Sequence, residues 1–80
     1  MKEGLPKKPD MRLGIYEHYK GNRYKVVCLA LHSEELEWHV LYKPQYDAEV
    51  DTWVRPHDLF MGLVEVDGSV VPRFKFIESA

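Results

Sequence analysis

The sequence predicts an all-β domain: a small, strongly bent antiparallel barrel of the SH3-like kind, with one short helical turn near residues 56–61. Two observations lead to this prediction. Short runs of alternating apolar and polar residues recur along the whole chain, and residues that favour turns separate them. An antiparallel sheet that is flat rather than closed, and capped by the same helical turn, is the alternative architecture.

The first predicted hairpin is the unit around which the domain is built. Strands at residues 13–19 and 23–31 flank residues 20–22, where Gly and Asn tolerate a positive φ angle. Because side chains alternate along a strand, residues two apart in the second strand are predicted to share a face. That face comprises Tyr24, Val26, Cys28, Ala30 and His32.

A third strand is predicted at residues 36–42, where the alternation of apolar and polar residues is clearest. Its apolar face, which we expect to contribute to the core, comprises Leu36, Trp38, Val40 and Tyr42. Residues 43–51 are polar and predict the longest internal loop, from which Tyr46 packs back onto the sheet.

A short strand at residues 52–55 precedes the predicted helical turn. Pro56 suits the first position of a helix, and Asp58 suits the first turn because the helix dipole favours an acid there. Gly62 is expected to end this turn.

The last part of the chain predicts a second hairpin and a final strand. Residues 67–68 are Asp-Gly, the pair typical of a tight two-residue turn, between strands at 63–66 and 69–71. Pro72 cannot donate a ladder hydrogen bond, so it marks an edge or a strand exit. Residues 73–77 alternate again and predict the last short strand.

Length and composition indicate one domain at residues 13–80, preceded by a flexible basic arm at residues 1–12. The chain has 80 residues and a single cysteine, Cys28, so a disulfide framework within the monomer is excluded. This favours a reducing, cytoplasmic location. No apolar run approaches the roughly 20 residues that span a membrane.

Charge is distributed unevenly along the chain. Residues 1–25 hold seven Lys and Arg against three Asp and Glu, a net charge of +4, which leaves −6 for residues 26–80 of the total of −2. This asymmetry indicates an anionic partner near the first hairpin, while the overall charge does not itself indicate a nucleic-acid binder. A solvated surface with an ordinary spread of charge is the alternative explanation.

A family resemblance covers most of the chain. The pattern G-x-Y-x-H-Y-K-G-N-x-Y-x-V at residues 14–26 resembles the opening motif of the bacterial "domain of unknown function 1653" family. Later stretches are similar to the family in the same order: His32-Ser33-Glu34, Trp53 to Pro56, Leu59-Phe60, Val64 to Gly68, and Val71 to Phe74. The resemblance implies a small cytoplasmic protein, sometimes joined to nucleotide-processing domains, with no established activity.

Aromatic and cationic residues form the candidate binding site. They are His18, Tyr19, Lys20, Tyr24, Trp53, Arg55 and Arg73. Aromatic faces stack on planar ligands, and the guanidinium fork of Arg binds phosphate or carboxylate. The competing interpretations are core packing for Tyr24 and Trp53, and surface ion pairs for Arg55 and Arg73.

The residues favour a non-enzymatic binding module whose ligand is anionic, nucleotide-like or a nucleic acid. The alternative is a protein-interaction module or homodimer that pairs through an exposed edge strand near residues 72–77. An enzyme with His18 or His32 as a base ranks last. The four histidines lack the close spacing of a zinc site, so neither a metal nor another cofactor is predicted. Cys28 lies between apolar neighbours, where a thiol is unreactive.

Overall fold

The computed structural model describes residues 4–80 and consists of seven strands and one helical turn. The elements are β1 (Gly14–His18), β2 (Arg23–Leu31), β3 (Trp38–Pro44), β4 (Trp53–Pro56), α1 (His57–Phe60), β5 (Leu63–Val66), β6 (Ser69–Pro72) and β7 (Phe74–Glu78). The predicted all-β class is confirmed, and each predicted strand is present with its ends shifted by at most two residues. No helix among these residues is long and apolar enough to cross a membrane.

Five of the strands form one antiparallel sheet in the order β4-β3-β2-β1-β7, and β5 pairs with β6 in a separate hairpin. The two end strands, β4 and β7, do not pair with each other, so the sheet is not closed into the predicted barrel. The first hairpin is formed as predicted, with Glu17 opposite Arg23 and Gly21 at a φ of 109° in the turn.

A β-bulge changes which side chains of β2 point into the core. Val26 lies opposite Tyr42, but the next pair is Cys28 with Leu41, so Val27 has no opposite residue. The extra residue reverses the alternation beyond it. Leu29, opposite the buried Val40, therefore packs against the core. The prediction that Cys28, Ala30 and His32 continue the face of Tyr24 and Val26 is wrong for this reason.

Strand β3 begins two residues later than predicted. Leu36 lies in the preceding turn with a φ of 55° and is exposed, so it does not join the core face. The other members of the predicted face behave differently: Val40 and Tyr42 are buried, and Trp38 is half-buried. The β3 strand also extends to Pro44, which shortens the predicted loop.

The helical turn α1 covers the inner face of the open sheet. Asp58 lies in its first turn, as predicted, and the N–H of Gly62 donates to the carbonyl of Leu59 where the turn ends. Phe60 is completely buried, and its ring stacks on that of Phe74 with centroids 3.9 Å apart. The buried side chains that form the core are Tyr16, Val26, Val40, Tyr42, Phe60 and Phe74. The helical turn thus contributes one aromatic side chain to the core that the sheet forms.

The β5–β6 hairpin contains the predicted two-residue turn. Val66 lies opposite Ser69, and Asp67 and Gly68 have φ angles of 50° and 81°. Positive φ at both central residues is the geometry for which Asp-Gly is favoured. The predicted tight turn is therefore confirmed.

The N-terminal arm makes defined contacts with the sheet. The Tyr16 hydroxyl donates to the carbonyl of Arg12 at 2.7 Å, and the Arg12 guanidinium lies 3.9 Å from the centroid of Phe76. Nearer the start of the arm, the carbonyl of Pro6 accepts a hydrogen bond from the indole Nε1–H of Trp38 at 3.1 Å. The flexibility of the arm and the boundary at residue 12 stay predictions; residues 1–3 lie outside the described part of the chain.

Candidate functional site

Four of the seven predicted site residues line one small pocket on the inner face of the sheet. The complete lining is His18, Tyr24, Tyr42, Trp53, Arg55 and Phe74. The pocket has a volume of about 140 Å³. Sites that enclose drug-sized ligands measure roughly 300–1,000 Å³. The pocket therefore has room for one phosphate group or part of a planar ring, and the rest of a larger ligand would lie outside it.

Strand register explains how residues from five strands reach this pocket. Residues directly opposite each other in antiparallel strands share a face of the sheet. His18 lies opposite Phe74, Tyr42 lies opposite Trp53, and Arg55 lies one step along the same face of β4 as Trp53. The pairing of β1 with β7 and of β3 with β4 therefore brings these side chains to one surface, although they are far apart in sequence.

Arg55 is the cation of this pocket. Its Nε–H donates to the Tyr42 hydroxyl at 3.2 Å, and its guanidinium lies 5.8 Å from the centroid of Phe74. Within residues 4–80 it forms no ion pair with a carboxylate, so the alternative of a surface ion pair is not realised there. An oriented guanidinium without an acidic partner has N–H donors left for an anion.

The surroundings of His18 favour the neutral form of its ring. Its Nδ1 accepts a hydrogen bond from the backbone N–H of Lys20 at 3.2 Å, so the proton of the neutral ring lies on Nε2. Burial lowers the pKa of the imidazole, and the positive charges of Arg55, Lys20 and Arg73 lower it further. His18 thus offers an Nε2–H donor in a positive environment.

Tyr24 forms an uncharged wall of the pocket. Its hydroxyl and that of Tyr46 are 2.9 Å apart, and its ring meets those of Tyr42 and Phe74 edge to face. Burial, the hydrogen bond with Tyr46 and the nearby tyrosines raise the pKa of Tyr24 to about 12, and the charge of Arg55 opposes this rise. The expected packing of Tyr46 back onto the sheet is confirmed by these contacts.

Trp53 forms the outer wall and is 45% exposed. The interpretation of Trp53 as a core residue therefore does not hold, whereas Tyr24 is half-buried and packs against the core. An exposed indole beside a guanidinium is a surface on which a planar ring can stack.

The other three predicted residues lie near this pocket but do not line it. Tyr19 lines a neighbouring groove with Val71 and Pro72, and its ring lies 4.5 Å from that of His18. Lys20 lies 5.9 Å from the centroid of Tyr19. Arg73 uses its Nε–H to donate to the carbonyl of Leu59 at 3.1 Å, which assigns it a structural role. Lys20 and Arg73 contribute positive charge to the surroundings of His18.

Tyr42 and Phe74 line the pocket but were not predicted as site residues. Both belong to alternating apolar faces, and this pattern indicates core packing, which is also their role. Their position beside the pocket depends on the order of the strands. No local signal in the sequence gives that order.

The remaining histidines lie away from the pocket. His32 and His39 face each other with ring centroids 5.6 Å apart, and Nδ1 of His57 lies 3.1 Å from a carboxylate oxygen of Asp58. Among residues 4–80 there is no group of three or more side chains arranged to hold a metal ion. Cys28 is a free, half-buried thiol.

Comparison with known proteins agrees with the sequence resemblance. Residues 14–76 match the model of a family described as "Protein of unknown function (DUF1653)". The chain belongs to this family. A crystal structure of a DUF1653 protein from Bordetella bronchiseptica has the same fold, with a TM-score of 0.81 and 30% sequence identity over 89% of this chain and 92% of that one. No curated protein matches the chain.

Proposed function

We propose that this domain is a non-enzymatic binding module for an anionic, phosphate-bearing ligand, which it holds in the pocket of Arg55 and His18. One observation carries the proposal: two donors, one of them a guanidinium without an acidic partner in residues 4–80, converge in a pocket whose lining includes no carboxylate. Oriented N–H groups in a partly desolvated site bind anions more strongly than they do in water.

The pocket has the size of one phosphate group, and the exposed Trp53 beside it supports a ligand that also carries a ring. The phosphate group would occupy the cavity of about 140 Å³, and a base or other ring would stack on the exposed face of Trp53. Tyr19 and Lys20 would contact the ligand from the first hairpin, beside His18. We propose that Arg73 contributes through its charge, since its Nε–H is already donated to a carbonyl.

The location that we propose is the reducing cytoplasm. Its support is the use of cysteine, because the single thiol cannot form a disulfide within the chain.

Calorimetric titration of the full chain with adenosine monophosphate (AMP), inorganic phosphate and adenosine tests the proposal. We expect AMP to bind more tightly than either fragment, because only AMP supplies both the phosphate and the ring. Binding should weaken as salt concentration rises, since the charges are partly exposed.

A matched pair of variants separates the site from general charge. Arg55→Gln should weaken AMP binding about 10- to 100-fold, which corresponds to the roughly 1.5–3 kcal/mol of a charge-assisted hydrogen bond. Arg23→Gln removes the same charge from an exposed position of β2 outside the pocket and should change binding less than about twofold. Equal losses in both variants, or no binding at millimolar concentration, would contradict the proposal.

Self-association through an edge strand is the second candidate function. Within residues 4–80, β7 pairs only with β1, so its outer edge has unpaired backbone groups that can extend the sheet. Dimerisation there predicts amide shifts along residues 73–77 that depend on protein concentration, with no ligand added. Such shifts without any response to AMP would favour this function over the anion site.

A further inference from the structure

We propose that the surface around Trp38 is a docking site for a proline-rich, basic peptide segment of a partner protein, and that the chain's own residues 5–9 occupy it in the structure. The residues that line this groove do not overlap with those that line the Arg55 pocket. The inference is therefore independent of the proposed anion site.

The hydrogen bond of Trp38 is the first argument. The half-buried indole donates its Nε1–H to the carbonyl of Pro6 at 3.1 Å. Within the described residues, no hydrogen bond between backbone groups outside the strands and helix involves residues 5–9. An indole that donates to the carbonyl of an extended proline-containing segment is the means by which aromatic grooves hold polyproline II ligands.

The conformation of the arm is the second argument. Its sequence from Leu5 is Leu-Pro-Lys-Lys-Pro, so four of these five residues are either a proline or the residue before one. Proline has a φ near −65°, and the residue before proline is restricted to extended conformations. All peptide bonds of the described chain are trans. Such a segment is already extended when free and loses little entropy on docking.

The groove itself is the third argument. With the arm in place, a space of about 290 Å³ stays open between the arm and the domain, and on the domain side it is lined by Leu36, Glu37, Trp38, Pro56, His57 and Asp58. Apolar side chains thus lie beside two exposed acids, Glu37 and Asp58, and a carboxylate oxygen of Asp58 lies 3.1 Å from Nδ1 of His57. The arm contributes Lys7 to the same groove. An acidic rim around an apolar floor favours a proline-rich ligand that also carries lysine or arginine.

Residues 5–9 are weakly anchored in the groove, so a partner peptide can replace them. Pro6, Lys7 and Lys8 are exposed, whereas the next part of the arm is held independently by Met11, which packs against the core, and by Arg12 on Phe76. Residues 5–9 can therefore leave the groove while the sheet stays intact. A short tether gives the arm an effective concentration of the order of millimolar, against which a partner peptide must compete.

The experiment uses the full chain and a synthetic peptide with the sequence of residues 4–10. The double variant Pro6→Ala/Pro9→Ala should release the arm, since alanine removes the restriction to extended conformations. The indole N–H signals in ¹H–¹⁵N NMR spectra are the readout. The chain has two tryptophans, so Trp53 serves as the internal control for Trp38.

We expect the Trp38 signal to move in the double variant and to return toward its wild-type position when the peptide is added, with Trp53 unchanged. The peptide should bind the double variant at least about tenfold more tightly than wild type, because the competing arm is released. A peptide with both prolines replaced by alanine should bind more weakly. Adding Trp38→Phe, which keeps a ring but lacks the donor, should also weaken peptide binding; in that variant the backbone amide signals of Glu37 and Asp58, which line the groove, replace the indole signal as the readout.

Either of two results would overturn the proposal. One is a Trp38 signal that does not respond to the peptide at millimolar concentration in either wild type or the double variant, which would give the arm a purely structural role. The other is equal binding of the proline and alanine peptides, which would mean that charge alone attracts them. The dispersion of the remaining amide signals checks that each variant is folded.

Discussion

The five-stranded sheet and the β5–β6 hairpin differ in how they are stabilised. Every buried side chain of the core comes from the sheet or from α1. The hairpin contributes none, and Leu63 and Val70 are each 64% exposed. Isolated two-stranded hairpins are marginally stable in water, so this one depends on its attachment to the rest of the domain.

The difference matters for the candidate site because all six residues that line the pocket belong to the sheet. The rings of Tyr42 and Phe74 are at once part of the core and part of the pocket wall. A site supported in this way keeps its geometry without a ligand. The hairpin, in contrast, is the part of the domain that we expect to open first.

Replacing the aromatic ring of α1 should produce the largest effect. Phe60→Ala removes a completely buried ring that stacks on Phe74 and should lower the free energy of unfolding by about 3–5 kcal/mol. Leu63→Ala in the exposed hairpin should change it by less than about 0.5 kcal/mol. Urea denaturation measures both, and a similar loss in the two variants would remove the distinction between sheet and hairpin.

Gly14→Ala should have the next largest effect. Gly14 has a φ of 142°, and a Cβ atom there would overlap the carbonyl oxygen of Glu78 and lie 2.9 Å from the Cα of Ser79. Backbone strain and overpacking together predict a loss of about 2–4 kcal/mol. Gly21→Ala is the matched control, since its φ is also positive but no atom lies within 4 Å. Equal thermal destabilisation by both would mean that strain alone, without the close contact, sets the cost.

The two aromatic walls of the pocket should differ in their effect on stability. The sequence predicts losses of roughly 2–5 kcal/mol for both Tyr24→Ala and Trp53→Ala. From the structure we expect Tyr24→Ala to lower the free energy of unfolding by about 2–3 kcal/mol, because Tyr24 packs against Tyr42 and Phe74. For Trp53→Ala we expect a loss of about 1 kcal/mol or less, because Trp53 is 45% exposed. Equal losses, measured by urea denaturation, would contradict the exposed position of Trp53.

The smallest expected effect is a dependence of stability on pH. The pKa of His18 is lowered in the folded state from its ordinary value of 6.5, mainly by burial and then by Arg55. Below pH 6.5 the unfolded chain therefore binds more protons than the folded chain does, and the stability that the neutral ring contributes is lost as the pH falls through the folded-state pKa. Wild type should lose stability between pH 7.5 and 5.5 more steeply than His18→Gln. Parallel curves would mean that the pKa of His18 is not lowered.

The sequence predicts most of the strands because their signals are local. Alternation marks β1 to β3, and Asp67-Gly68 determines the second hairpin. The extra residue Val27 in β2 could not be predicted, because a bulge is defined by the register with the partner strand and not by composition. The prediction of a closed barrel was wrong for a similar reason: whether β4 pairs with β7 is a contact between distant parts of the chain, which no local pattern indicates.

The candidate site was predicted in part. Residue types alone identify His18, Tyr24 and Arg55 as functional candidates, because cations and rings suit an anionic planar ligand. Arg73 has the same chemistry, but its guanidinium is bonded to a carbonyl, which only the tertiary structure reveals. The interaction of Trp38 with Pro6 joins positions 32 residues apart and leaves no local pattern in the sequence.

The pKa of His18 in the presence and absence of AMP tests the central claim most directly. Burial lowers the pKa of His18, and the neighbouring cations, Arg55 first among them, lower it further. A phosphate bound at Arg55 should offset the charge of these cations and raise the pKa of the imidazole. NMR titration of the His18 ring protons measures this, and Arg55→Gln should abolish the rise on adding AMP. A pKa that AMP at saturating concentration leaves unchanged would contradict the account, because the phosphate would then bind somewhere other than the pocket of Arg55 and His18.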